Sequence, residues 1–189
     1  MACSVKLRHE HDGHVMRPGD VAELQQRLVR VGLDWCVVGG WGVDALLRTP
    51  TRDHKDLDVL LPLTHLERIL TLLAAEGFRL AYVWPESLNI PGGHPLIGAP
   101  MPSAFVVEHV DEREVDVHVY DDQESAVAPL WDTHRTLHPK DLTAAGEIDG
   151  VAVRCMTASM QLECHGGYEL PPAHAADVLL LQRLVQPTQ

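Results

Sequence analysis

The sequence predicts a mixed α/β (α+β) domain that ends in helices, and three observations predict it. Segments with apolar residues at helical spacing are interleaved with short runs that alternate in polarity. Glycine and proline punctuate the boundaries between them. The 189 residues suit one domain with a sizeable core, or a domain plus a small helical appendage. The expected division is a flexible arm over 1–18, a main α/β unit over 19–156 and a helical segment packed on it over 157–189.

Residues 1–18 carry His9, His11 and His14 among charges without periodicity, which reads as a loose arm. Asp20 stands three residues before Glu23 at capping-box spacing, and Val21, Leu24, Leu28 and Val31 share one helical face until Gly32. Trp35 to Val38 is a short apolar strand, Gly39-Gly40 turns the chain, and Trp41 to Leu47 forms a brief helix that Asp44 caps or orients. A polar loop, 48–55, leads into a strand over Asp56 to Leu61. Thr64 with Glu67 repeats the capping-box spacing, and Leu66, Ile69, Leu70 and Leu73 give the next helix its apolar face before Gly77.

Phe78 to Val83 reads as a strand, whereas 84–102 is rich in proline and glycine and reads as a long loop of the kind that serves substrates. Phe105 to His109 and Glu114 to Tyr120 flank the turn residues Asp111-Glu112-Arg113 and predict a hairpin. In its second strand Val115, Val117 and Val119 alternate with Glu114, Asp116 and His118, so one face is apolar and the other polar. Two further short strands meet at Asp149-Gly150, the second over Val151 to Cys155. Helices over about 158–165 and 173–185 complete the chain.

Composition narrows the function classes. No apolar run approaches the roughly 20 residues of a spanning helix, and Lys6 is not followed by an apolar stretch of the secretory kind, so the expected setting is the cytoplasm with no membrane role. Cys3, Cys36, Cys155 and Cys164 lack metal or redox spacing and read as free thiols. A formal charge of −12 repels a phosphate backbone, which argues against a nucleic-acid partner and suits a cationic one.

The most informative motif is the glycine pair followed by Asp56-Leu57-Asp58. A strand's period of two places Asp56 and Asp58 on one face. Adjacent carboxylates repel unless a cation neutralises them, and a hard divalent ion with oxygen ligands does so. Asp116 lies mid-strand in the alternating hairpin and meets them if the strands pair. Two metal ions about 3.5–4 Å apart, held by such acids, are what in-line transfer of a nucleotidyl group needs. Asp116 is also the candidate general base for an acceptor hydroxyl. Gly39 and Gly40 let backbone N–H groups approach phosphates, and Arg52 and Lys55 supply positive charge from the intervening loop. Glu114 and His118, on the face of Asp116, are candidates to meet the substrate.

Gly39-Gly40-Trp41-Gly42-Val43-Asp44-Ala45-Leu46-Leu47, Thr51-Arg52-Asp53-His54-Lys55-Asp56-Leu57-Asp58 and Glu114-Val115-Asp116-Val117-His118 together resemble the nucleotidyltransferase superfamily, specifically its small lincosamide- and aminoglycoside-modifying members. His165 to Leu170 and Asp177 to Leu180 resemble the C-terminal helical part of that group. The resemblance implies a nucleotidyltransferase-like fold with a short curved mixed sheet, ATP or another nucleoside triphosphate as donor, and Mg2+ as the ion. It carries over Asp56, Asp58 and Asp116 as the metal site, Gly39, Gly40 and Trp41 as the nucleotide turn, and Tyr168 and Asp177 as substrate contacts. The chain departs from the group at His174-Ala175-Ala176 and in the loop 84–102, both on the acceptor side.

Two rival readings stay open at this point. A zinc hydrolase would use His54, His118 and the aspartates, although paired-His spacing is missing. A binding module of the toxin–antitoxin kind would keep the fold without turnover. A homodimer is open as well, since a second copy can complete the cleft of a small catalytic domain.

Overall fold

The structure, a computed structural model, describes residues 15–122, 128–130, 132, 136–166 and 169–186. Met16 is buried, and its N–H donates to the His54 carbonyl at 2.9 Å, so the chain joins its core before residue 18. His9, His11 and His14 of the expected arm lie outside the described residues. Helix α1 spans Pro18–Arg30 with Arg17 as its N-cap, three residues earlier than Asp20 suggested. Proline has no N–H to satisfy and opens a helix readily. Asp20 therefore lies in the first turn, where its carboxylate accepts the Arg17 backbone N–H at 3.0 Å. Val21, Leu24 and Leu28 are buried as expected, but Val31 is the exposed C-cap residue.

Strand β1 is only Cys36–Val37, and α2 spans Gly39–Leu47, so the glycine pair is the helix's own first turn. Strand β2 covers Asp56–Pro62. A short 3-10 turn over Leu63–His65 precedes α3, Leu66–Ala75, whose Leu66, Ile69, Leu70 and Leu73 are buried. Thr64 does not cap α3, because its N–H and hydroxyl both go to the Asp122 carboxylate. Strand β3 is Arg79–Val83. The expected loop 84–102 contains a small ladder of its own, β4 (Asn89–Ile90) against β5 (Met101–Pro102).

The predicted hairpin is present as β6, Ala104–Glu108, and β7, Glu114–Asp121, followed by β8, Ala128–Pro129. A second hairpin joins β9, Ala144–Ile148, to β10, Val151–Cys155. Its turn residues Asp149 and Gly150 both have positive φ, 50° and 74°, which an Asp-Gly pair tolerates best. Helices α4, Ala158–Cys164, and α5, Pro172–Val185, follow, with Thr157 capping the former.

The main sheet runs β3-β6-β7-β2-β1-β10-β9, with β8 beside β7. It is mixed: β2 and β7 are parallel, as are β1 and β10, and the other neighbours are antiparallel. Leu57, Val59 and Leu61 of β2 and Val115, Val117 and Val119 of β7 join one apolar core with α1 and α3. Because side chains alternate across a strand, that burial turns the intervening residues of β2 and β7 to the other face. Cys36 and Cys155 are buried free thiols, held well above the ordinary range by that burial, and Cys164 is half-buried. Among the described residues no helix is long and apolar enough to cross a membrane.

Candidate active site

The parallel pairing of β2 with β7 sets Asp58 directly opposite Asp116 and Asp56 opposite Glu114. Four acidic side chains thus share one patch of the face away from the core. The first turn of α2 closes against it. Gly39 has φ 60°, a left-handed conformation natural to glycine, and a Cβ there would overlap the Asp58 carboxylate. Gly40 is as crowded, since a Cβ would collide with the His54 ring and Arg52 Nη2. The Val38 N–H donates to the Asp58 carbonyl at 3.0 Å and locks turn to strand.

Electrostatics mark the same place. Burial, followed by the negative charges of Asp56 and Asp116, pushes the Asp58 carboxyl well above its usual range, against an opposing pull from Arg52. A cluster of oxygen donors short of positive charge fits a hard divalent cation. Among the described residues no three His, Cys, Asp or Glu side chains are already gathered tightly enough to hold an ion. Asp116 accepts the Trp84 indole N–H on Oδ1 at 2.9 Å. His118 Nε2 lies 4.0 Å from that oxygen, and burial lowers this imidazole to about 4, so it is neutral near pH 7.

Loop 48–55 is fastened from two sides. Asp44, buried within α2, accepts the Thr51 N–H at 3.0 Å and the Thr51 hydroxyl, and pairs with His54 Nε2 at 2.6 Å. The His54 ring rests on Trp41 with centroids 4.5 Å apart. Across the loop, Arg52 meets Asp177 of α5 through Nη2 at 2.9 Å and Nε at 3.4 Å. Lys55 Nζ lies 3.9 Å from Glu114 at the rim of the acidic patch.

The sequence model of the aminoglycoside-2″-adenylyltransferase family matches residues 20–90 and 96–181. The chain belongs to this family. It is a nucleotidyltransferase, as the motifs around Gly39, Asp58 and Asp116 led us to expect. A lincosamide resistance protein of Staphylococcus haemolyticus is 22% identical over 148 residues, 77% of this chain and 82% of that protein. The solved structure of the lincosamide antibiotic adenylyltransferase LnuA, lincomycin-bound, matches with a TM-score of 0.72 at 18% identity, over 91% of this chain and 100% of that one. ANT(2″)-Ia in complex with adenylyl-2″-tobramycin matches with a TM-score of 0.62 at 17% identity, over 89% of each chain. The family match skips 91–95, between β4 and β5, within the segment read as peculiar to this chain.

Within this adenylyltransferase framework the structure brings Asp56, Asp58, Glu114, Asp116 and His118 to one face, with Gly39, Gly40, Arg52 and Lys55 beside them. Three expectations need correction. Trp41, expected at the nucleotide turn, points inward, where it is 2% exposed beneath His54. Asp177 is buried as the counter-ion of Arg52 rather than open to substrate. Asp44 ties down the following loop instead of capping its own helix. His54 is itself buried, with Nε2 on Asp44 and its ring on Trp41. Tyr168 lies outside the described residues. Trp84 was missed, although Tyr82 and Trp84 alternate at strand spacing toward the loop, the available signal.

Proposed function

We propose that this enzyme transfers the adenylyl group of ATP to a hydroxyl of a small antibiotic, an aminoglycoside in the first place, with magnesium. The observation that carries this reading is the register of Asp58 against Asp116 beside the Gly39 turn. The acceptor oxygen attacks the α-phosphorus, the bond from that phosphorus to the bridging oxygen breaks, and pyrophosphate leaves. Asp116 takes the acceptor's proton, which requires it within hydrogen-bond reach of the hydroxyl. Asp56, Asp58 and Asp116 are the residues that would hold magnesium, which when bound neutralises the charge of the triphosphate and of the transition state.

The backbone at Gly39 and Gly40 faces the phosphates from the start of α2, where a helix favours anions. Arg52, anchored by Asp177, holds its positive charge near Asp58. Glu114, with Asp56 and the overall charge of −12, suits an acceptor that carries several ammonium groups. A lincosamide is the alternative acceptor, kept in view by the lincosamide resistance protein of similar sequence. ATP as donor agrees with a cytoplasmic setting.

The test is incubation with ATP, magnesium and tobramycin or lincomycin, with pyrophosphate and product mass as readouts. A product heavier by one adenylyl group is expected. A gain of one phosphoryl group refutes the reaction class, and no pyrophosphate with any aminoglycoside or lincosamide refutes the acceptor class.

A further inference from the structure

Tyr82 pairs with Val106, Val106 with Asp116, and Asp116 with Asp58, which makes one row across β3, β6, β7 and β2. The row exists because the β3–β6 register shifts between Leu80 and Tyr82. Without that irregularity, strand alternation would send residues 82 and 84 to the face that Leu80 occupies. Bulges beside active sites commonly re-aim side chains in this manner. Trp84 continues the strand, its N–H donating to the Ala104 carbonyl at 3.1 Å, and its indole stands edge-on to Tyr82 with centroids 5.0 Å apart. The turn beyond is pinned: Ser87 N–H donates to the Trp84 carbonyl at 3.0 Å, and Ser87 Oγ accepts the Ser103 N–H at 2.8 Å. The indole N–H is therefore delivered to Asp116 Oδ1 by a fixed piece of backbone.

We propose that Trp84 is the positioning residue for Asp116: by holding Oδ1 it fixes the orientation in which the carboxylate meets the acceptor hydroxyl. The inference rests on Asp116 acting as the base. A neutral donor is suited to this task, because it orients the anion without neutralising it as an arginine would. Trp84 is half-buried at the end of an edge strand, so its loss spares the core.

Trp84→Phe keeps a ring against Tyr82 and removes the N–H. We expect kcat to fall about ten- to a hundredfold, the scale of one hydrogen bond to a charged group, while KM for ATP stays within about twofold, as fits an interaction that matters chiefly in the transition state. Trp84→Tyr, which also lacks the indole N–H, carries the same expectation should the first variant fold poorly. A second readout needs no acceptor. In 1H–15N spectra of the full chain, the indole signal that Trp84→Phe removes must move in Asp116→Asn. An indole signal unmoved by Asp116→Asn, or a wild-type kcat in Trp84→Phe, overturns the proposal. If Asp116→Asn is inactive while Trp84→Phe is unimpaired, positioning alone fails. If Asp116→Asn turns over normally, the base assignment fails and this inference with it.

Discussion

Replacing Gly39 by alanine strains the site in two separable ways. At φ 60° an L-residue pays about 1–2 kcal/mol for the left-handed conformation. An added Cβ would also lie 2.9 Å from Asp58 Cγ and 3.1 Å from its Cβ, and would overlap Oδ2. Asp58 has little room to retreat, because its own carbonyl accepts the Val38 N–H at 3.0 Å and β2 is held between β1 and β7. The backbone cost alone lowers the melting temperature by roughly 2–8 °C, at about 2–4 °C per kcal/mol in a domain of this size. Displacing a carboxylate of the site by about 1 Å costs on the order of a hundredfold in rate. Gly150→Ala is the control: φ is 74° there and an added Cβ meets nothing within 4 Å, so it carries the backbone cost without the collision. Thermal melts and pyrophosphate release on both variants separate the effects. The melting loss is expected to be the larger in Gly39→Ala, which adds the collision to the shared backbone cost, with about a hundredfold loss of kcat in Gly39→Ala only. Equal rates in the two variants would refute the claim that Gly39 makes room for Asp58.

Asp58→Asn should abolish most activity yet stabilise the metal-free chain near neutral pH. The Asp58 carboxyl titrates higher folded than unfolded, so the folded state binds more protons and Asp58 lowers stability as pH rises from roughly 4 through its folded value. His118 acts oppositely, lowered to about 4 from an unfolded value near 6.5, so stability falls as pH drops through that window. Melts in EDTA across this range should show the Asp58→Asn advantage growing with pH, and a constant difference between the two proteins would contradict the assignment. Asp177→Asn should raise KM for ATP and cost about 1–3 kcal/mol, because Arg52 loses its buried anion; denaturant unfolding and nucleotide titration read both, and an unchanged KM would detach Arg52 from the donor. His54→Phe keeps a ring on Trp41 but leaves the Asp44 carboxylate without that partner, at a cost of about 1–3 kcal/mol. Wild-type unfolding in this variant would show that Asp44 holds loop 48–55 through Thr51 alone.

Periodicity was sufficient for the elements because burial follows it. Leu57, Val59, Val115 and Val117 are buried, and their polar neighbours face the site, as alternation requires. The carboxylate grouping was legible for the same reason: once β2 and β7 pair in parallel, residues 58 and 116 share a face. Helix starts were less legible, because Pro18 outranked Asp20 and because Asp122, 58 residues away, takes the Thr64 hydroxyl. Trp84 escaped because its spacing from Tyr82 shows that the two share a face but not which face, and a bulge decides that. Asp177 was named as a substrate contact, but its pairing with Arg52 was not legible, because a buried acid 125 residues away has no local signature.

The acids around loop 48–55 divide by how their charge is met. Asp44 and Asp177 are buried at 3% and 1% exposure, and each is spent within the chain, on Thr51 and His54 or on Arg52. A buried charge must be matched in this way or it costs more than the fold can bear. Asp58 is instead crowded by two further carboxylates, with Arg52 acting against them. That imbalance is what an external cation would relieve. Arg52 belongs to both groups, since its guanidinium binds Asp177 while its field reaches Asp58. Helix α5 therefore bears on the charge around Asp58 through Arg52, although none of Asp56, Asp58 and Asp116 lies on it. Removing α5 would release Arg52 from its anchor and so alter the electrostatics of Asp58.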